Sequence, residues 1–219
     1  DVYKRQTQRN LEGLRSLGYH IMDPAEGWLA CGITGVGRLP EPEAIVDWLE
    51  AKMCSTNELE GTTILVTAGG TQESIDPVRY IGNRSSGKMG YAIAEQAAHM
   101  GAKVILVSAP TSLPIPSGVD FISVDSAVSM QEAVEARYND VNVVIMAAAV
   151  SDFRVLHKAE QKIKKMESMT IELVKNPDIL QGLGSKKSHQ ILVGFAAETE
   201  HVIKYGQDKV AKKNLDMLV

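Results

Sequence analysis

The chain has 219 residues, 44% apolar and only 5% aromatic, with 23 basic and 27 acidic side chains and a net charge of −4. That balance gives no reason to expect a nucleic-acid surface, and no apolar run approaches the ~20 residues of a membrane helix. Two cysteines, five histidines without ligand spacing and no secretory leader argue against a disulfide scaffold and a protein-held zinc site, and point to a reducing cytoplasm.

The first stretch with a pattern, "TQRNLEGLRSLG", carries Leu11, Leu14 and Leu17 at helical spacing and closes on Gly18 as a C-terminal cap. "GWLACGITGVGRLPEP" has the glycines and prolines of a loop. "EPEAIVDWLEAKM" reads as an amphipathic helix with Ile45, Val46, Leu49 and Met53 on one side. "CSTNELEG", residues 54–61, is polar and patternless, a linker between units. The chain has no initiator Met and stops inside "LDMLV", so it reads as a fragment.

From Thr62 strands and helices alternate. "TTILVTAGG", "KVILVSAP", "VDFISV" and "VNVVIMAAAV" are short strands, the last as continuously apolar as a central parallel strand. "SSGKMGYAIAEQAAHMGA" is a helix capped by Ser85 or Ser86, and "SAVSMQEAVEARYND" one capped by Ser126. Further strands are expected at "TIELVK", "ILVGFAAET" and "LDMLV", and helices at "NPDILQGLG" and "TEHVIKYGQDKVAKKN". The alternation predicts a doubly wound, mostly parallel open α/β sheet, with its site in the loops after the strand ends.

"YIGNRSSGKMGYA" poses the first chemical question. Gly82-x4-Gly87-Lys88 has P-loop spacing, but Met89 stands where the motif needs a hydroxyl for Mg²⁺, and some thirteen residues separate it from its strand. No G-x-G-x-x-G follows "ILVTA", which disfavours a nicotinamide-dependent oxidoreductase. Gly69, Gly70 and Gly87 permit close backbone approach, and Ser85 and Ser86 open a helix whose first N–H groups accept an anion. A plain turn and cap explains the serines and glycines, but not Arg79, Asn83, Arg84 and Lys88 gathered around one loop.

"GGTQESIDPVRYIGNRSSGKMG", with "AAAVSDFR", "KIKK", "LVKNPDIL", "VGFAAET" and "KVAKKNLDM", resembles the phosphopantothenate–cysteine ligase family from Thr62 to Val219. "TQRNLEGLRSLG" and "LACGITGVGR" resemble the tail of the FMN-dependent phosphopantothenoylcysteine decarboxylases, to which the ligase is fused in bacterial coenzyme A biosynthesis. The resemblance implies residues 1–53 as the end of a flavodoxin-like decarboxylase domain and 62–219 as a Rossmann-like ligase domain lacking its last part. It implies activation of 4′-phosphopantothenate by CTP as an acyl-cytidylate, followed by attack of the cysteine amine. Mg²⁺ accompanies CTP, near Asp152 and not held by protein alone; FMN serves the other half, whose site is mostly absent.

The same resemblance implies the roles. Met146, Ala147, Ala148 and Asp152 end the fourth strand and bind CTP; read alone, Asp152 is a helix cap. Lys162 meets the triphosphate, although "KIKK" read alone is a solvated face. Pro177, Asp178, Ile179 and Leu180 hold CTP where Asn176-Pro177 looks like a helix cap with a first-turn proline. Phe195 packs on the nucleotide, though the default for a Phe is the core. Lys209 and Lys213, four apart on one helix face, close over it. Gly69, Gly70, Arg79, Asn83, Ser85, Ser86 and Gly87 serve the acyl-cytidylate, with Asn83 assigned to the second step and Lys162 to the first. Cys31 becomes the decarboxylase proton donor. Small-molecule substrates, no nucleic acid, no membrane, a homodimer through the ligase domain and a larger assembly at full length complete the expectation. A non-catalytic nucleotide-sensing module is the remaining alternative, because fold alone does not separate it from an enzyme.

Overall fold

The computed structural model describes residues 4–53, 56–165, 167–196 and 202–219, and the chain divides into two units, residues 1–55 and 56–219. In the first, α1 (Arg5–Ser16) is followed by β1 (Ala25–Trp28), β2 (Thr34–Arg38) and α2 (Pro42–Met53). The glycine-rich stretch expected to be loop is therefore an antiparallel hairpin: Gly27 pairs with Gly35 and Trp28 with Thr34. Backbone pairing needs no apolar alternation, so these strands left no period-2 signal in the sequence.

The second unit begins with β3 (Thr63–Ala68), a hairpin of β4 (Gln72–Ser74) and β5 (Tyr80–Gly82), and α3 (Lys88–His99). It continues through β6 (Lys103–Ser108), β7 (Val119–Ser123), α4 (Ala127–Glu135) and β8 (Val143–Met146). A second hairpin follows, β9 (Phe153–Val155) with β10 (Leu173–Lys175), then α5 (Ile179–Lys186), β11 (Ile191–Gly194), α6 (Val202–Lys213) and β12 (Met217–Leu218). Six strands form one sheet in the order β12-β11-β8-β3-β6-β7, with every pairing parallel. This is the expected doubly wound α/β architecture.

Alternate side chains of β3, β6, β7 and β8 enter two cores. Leu65, Val107 and Val144 face Met130, Val134, Leu183 and Leu192 on one side, while Ile64, Val66 and Leu106 face Tyr91 and Ala94 on the other. Leu65 is fully buried, so truncating it to Ala is expected to cost about 2–5 kcal/mol. Gly90 lets α3 lie directly on β3: a Cβ there would stand 2.6 Å from the Ala68 Cβ and 2.7 Å from the Thr67 carbonyl oxygen.

The chain winds from β3 toward β6 and β7, then returns to β8 and continues toward β11 and β12. Neighbouring strands β3 and β8 thus flank the reversal of winding, where the connecting loops part and leave a crevice. Three expectations change. The helix after β5 starts at Lys88 with Gly87 (φ 75°) as its N-cap, not Ser85 or Ser86. "TIELVK" pairs with β9 outside the main sheet. Asp178, not Asn176, caps α5, accepting the Gln181 N–H. The start expected for the last helix falls at residues 197–201, outside the described residues.

Candidate functional site

Beyond the last sheet pairing, the carboxyl ends of β3 and β8 are laced together. The Ala149 N–H donates to the Gly69 carbonyl at 2.8 Å, and the Thr71 N–H to the Ala149 carbonyl at 3.2 Å. The Thr71 hydroxyl accepts the Ser151 N–H (2.9 Å), and the Thr67 hydroxyl accepts the Ala148 N–H (3.1 Å). These buried threonines pair backbone donors that the sheet leaves over.

A cleft of about 290 Å³ opens on the β8 side. Of the residues assigned to CTP, Met146, Ala148, Asp152, Pro177, Asp178, Ile179, Leu180, Phe195 and Lys213 line it. Ala147 sits in the same strand-end turn, its N–H on the Ile145 carbonyl. Lys209 lies one turn before Lys213 on α6, partly buried. The cleft keeps its width because buried Asn176 ties the start of α5 to the strand end, donating from Nδ2 to the Ser151 carbonyl at 2.9 Å. The Asn176 N–H donates to the Asp152 carbonyl at 2.7 Å. Within this cleft the Lys213 ammonium contacts Asp178 at 2.9 Å. Burial pushes the Asp178 carboxyl up, but the hydrogen bond from Lys213 and the Gln181 N–H together hold it below its ordinary value.

A second, larger cleft of about 630 Å³ lies on the β3 side. Gly70, Asn83, Ser85 and Ser86 of the expected set line it, with Lys88 and the loop Pro110–Leu113 after β6. Gly69 and Gly87 do not line it; both are buried, and a Cβ on Gly69 would meet the Ala109 carbonyl and one on Gly87 the Thr111 methyl. The serine hydroxyls accept the N–H groups of Gly87 (3.3 Å) and Lys88 (3.5 Å), so they serve the entry to α3 without occupying the cap position. Thr111 and Ser112 had no signal in the sequence beyond a hydroxyl pair between prolines at a strand end. Thr111 is fixed by a 3.1 Å hydrogen bond to the Tyr91 hydroxyl.

Asn83 joins the two clefts. Its Nδ2 donates to the Val150 carbonyl at 3.2 Å, and Val150 lines the first cleft while Asn83 lines the second. Close packing holds it there: a Cβ on Gly70 would stand 2.7 Å from the Asn83 carbonyl oxygen.

Arg79 and Lys162 line neither cleft. They share a third cavity of about 380 Å³ with Val78, Ile163, Lys164 and Lys165. The Arg79 guanidinium is engaged with Asp76 and with the Ile163 carbonyl (2.8 Å). Burial raises the Asp76 carboxyl, but the Arg79 side chain and the Val78, Ile163 and Arg79 N–H groups hold it far below its ordinary range. Cys31 is an exposed free thiol in the β1–β2 turn of the first unit.

Residues 59–219 match the family described as DNA/pantothenate metabolism flavoprotein C-terminal domain. The chain is 49% identical over 216 residues to the coenzyme A biosynthesis bifunctional protein CoaBC of Bacillus subtilis, covering 97% of this chain and 53% of that protein. It is 48% identical over 217 residues to the protein of the same name from Escherichia coli, with the same coverage. The chain thus spans about half the length of the curated relatives it matches. Among solved structures, a C-terminal domain of a bifunctional CoaBC superposes with a TM-score of 0.68 at 49% identity, covering 75% of this chain and 79% of that one.

Proposed function

The chain belongs to the family of DNA/pantothenate metabolism flavoprotein C-terminal domains, and from that premise we propose that its second unit joins 4′-phosphopantothenate to cysteine at the expense of CTP. One observation carries the reading: the 3.2 Å hydrogen bond from Asn83 to Val150 links the two clefts that flank the reversal of winding. A nucleotide in the first and an acid in the second meet there.

In the first step a carboxylate oxygen of the acid attacks the α-phosphorus of CTP. The bond from that phosphorus to the bridging oxygen breaks, and pyrophosphate departs. The first cleft supplies small residues Ala147 and Ala148 for close approach, Phe195 as an apolar wall and the α5 N-terminus for polar edges. Lys213 sits within reach of a phosphate at the cost of its pair with Asp178. Lys162 lies outside this cleft, in the third cavity, and adds positive charge to the triphosphate by reaching out from its loop. Mg²⁺ carried with CTP neutralises phosphate charge, and the exposed Asp152 carboxylate is the hard-oxygen donor of the first cleft suited to its water shell.

In the second step the cysteine amine attacks the acyl carbon, the acyl carbon–oxygen bond breaks and CMP leaves as the amine sheds a proton. Asn83 holds the acyl group with its side-chain amide. The phosphate end of the acid lies among Ser85, Ser86, Lys88 and Thr111, at the positive end of α3.

Exposed Val78, Tyr80, Phe153 and Leu173 on the two hairpins support a homodimer through this unit. The described first unit is one antiparallel hairpin with two helices. These described residues do not amount to a flavin site.

Pyrophosphate release tests the reading. It should require CTP and 4′-phosphopantothenate together and proceed without cysteine. Release that is indifferent to the acid, or absent with CTP, contradicts it, as would tight NAD(H) binding in its place.

A further inference from the structure

The described residues between β9 and β10 form neither helix nor strand, yet they carry Lys162, Lys164 and Lys165. A loop of that length samples many conformations unless it is tied down, and three like charges facing Arg79 favour its splaying. At its base the Leu156 N–H bonds the Glu172 carbonyl at 2.9 Å. Its other ties run to the β4–β5 hairpin: the Ala159 N–H to the Ile75 carbonyl (2.9 Å), the Ile163 N–H to Asp76 Oδ2 (3.1 Å), and Arg79 to the Ile163 carbonyl (2.8 Å).

Asp76 is the hub of the two ties at Ile163, and its side chain is fully buried. The two oxygens divide the work. Oδ1 accepts the N–H groups of Val78 (2.8 Å) and Arg79 (2.9 Å), which fixes the turn between β4 and β5. Oδ2 accepts from the Arg79 guanidinium and from Ile163, which fixes the loop. The hairpin that presents Asn83 at the end of β5 therefore also carries the lysine loop.

We propose that Asp76 is a positioning residue: it pins the lysine loop at Ile163 to the arm that bears Asn83, and this anchored loop, with Lys162 beside Arg79 in the third cavity, is the base from which Lys162 reaches out to the nucleotide triphosphate. The inference rests on the ligase reading for the role of Lys162, and on hydrogen bonding alone for the pin. Asp76→Asn separates the two oxygens' functions. The amide oxygen keeps the turn, while Nδ2 faces the Ile163 and Arg79 donors, donor against donor. Ile163→Pro removes the loop's N–H and stiffens the backbone at Lys162 and residue 163, leaving the buried carboxylate and the turn intact.

Two readouts on the 219-residue chain test this. Tryptic cleavage after Lys164 and Lys165 should accelerate by about tenfold or more in both variants, the effect of losing a hydrogen bond to a charged group, and cleavage after Lys162 should accelerate in Asp76→Asn alone, because a Lys–Pro bond resists trypsin. Cleavage elsewhere should not change. CTP–Mg²⁺ affinity should fall by about tenfold in Asp76→Asn and in Lys162→Gln, and the double variant should bind no worse than Lys162→Gln alone. Unchanged cleavage after Lys164 and Lys165 in Ile163→Pro overturns the pin, whether or not Asp76→Asn folds. Additive losses of affinity overturn positioning through Lys162. If Lys162→Gln leaves CTP affinity intact, or the wild-type chain does not bind CTP, the ligase reading fails and the positioning role falls with it. Accelerated cleavage would then identify Asp76 as a loop anchor only.

Discussion

Lys213 of α6 meets Asp178, the cap of α5, with its ammonium 2.9 Å from Oδ2 and 3.1 Å from Oδ1. The pair sits in the first cleft, where a triphosphate would compete with the carboxylate for the lysine. Lys213→Ala is expected to weaken CTP binding by about tenfold. Stability should change by no more than about 1 kcal/mol, because the pair is partly exposed. Titration calorimetry and thermal melts separate the two effects. Unchanged CTP affinity would remove Lys213 from the site.

Asp178 also gives the fold a pH dependence of known sign. Its folded carboxyl lies below its ordinary value of 3.8, so the unfolded chain binds the proton more readily. The stabilisation is present above that value and is lost as pH falls through the lower folded one. Asp178→Asn should therefore melt at a lower temperature than wild type at neutral pH. The difference should close in acid below the ordinary carboxyl range. A gap that widens there would contradict the assignment.

Asn83→Asp should divide the reaction. A carboxylate facing the Val150 carbonyl replaces donation with repulsion at the junction of the clefts. Pyrophosphate release should persist while amide formation falls by about a hundredfold, as for loss of an oxyanion donor. Paired assays of pyrophosphate and amide product provide the check. Amide formation at the wild-type rate would show that Asn83 does not hold the acyl group.

Gly70→Ala tests the support of Asn83 without touching its side chain. The added Cβ would stand 2.7 Å from the Asn83 carbonyl oxygen and 3.3 Å from the Ser85 Cβ. Moving that backbone is expected to cost about 1–3 kcal/mol, seen as a lower denaturation midpoint. Amide formation should fall more than pyrophosphate release. Equal falls in both would place Gly70 in the fold and outside the second step.

The sheet was legible because Leu65, Val144 and Leu192 lie in continuous apolar runs whose length and spacing specify buried parallel strands. The residues of the first cleft were legible only through resemblance to a family, yet the structure gathers Met146, Asp152, Pro177 and Phe195 around one opening. What stayed hidden depends on contacts distant in sequence. β4 and β5 have three residues each, too few for a periodic signal. Gly87 displaces the serines as cap of α3 because its left-handed backbone brings the helix close to Gly69 and Thr111. The bond from Ile163 to Asp76 spans 87 positions, and no local reading of "KIKK" contains it.

The most direct test of the central claim is a single turnover with CTP, Mg²⁺ and 4′-phosphopantothenate in the absence of cysteine, quenched and weighed by mass spectrometry. The account predicts an adduct of the acid with cytidine monophosphate that disappears into an amide when cysteine is added. Amide formation from the acid, CTP and cysteine with no such adduct at any time would contradict it.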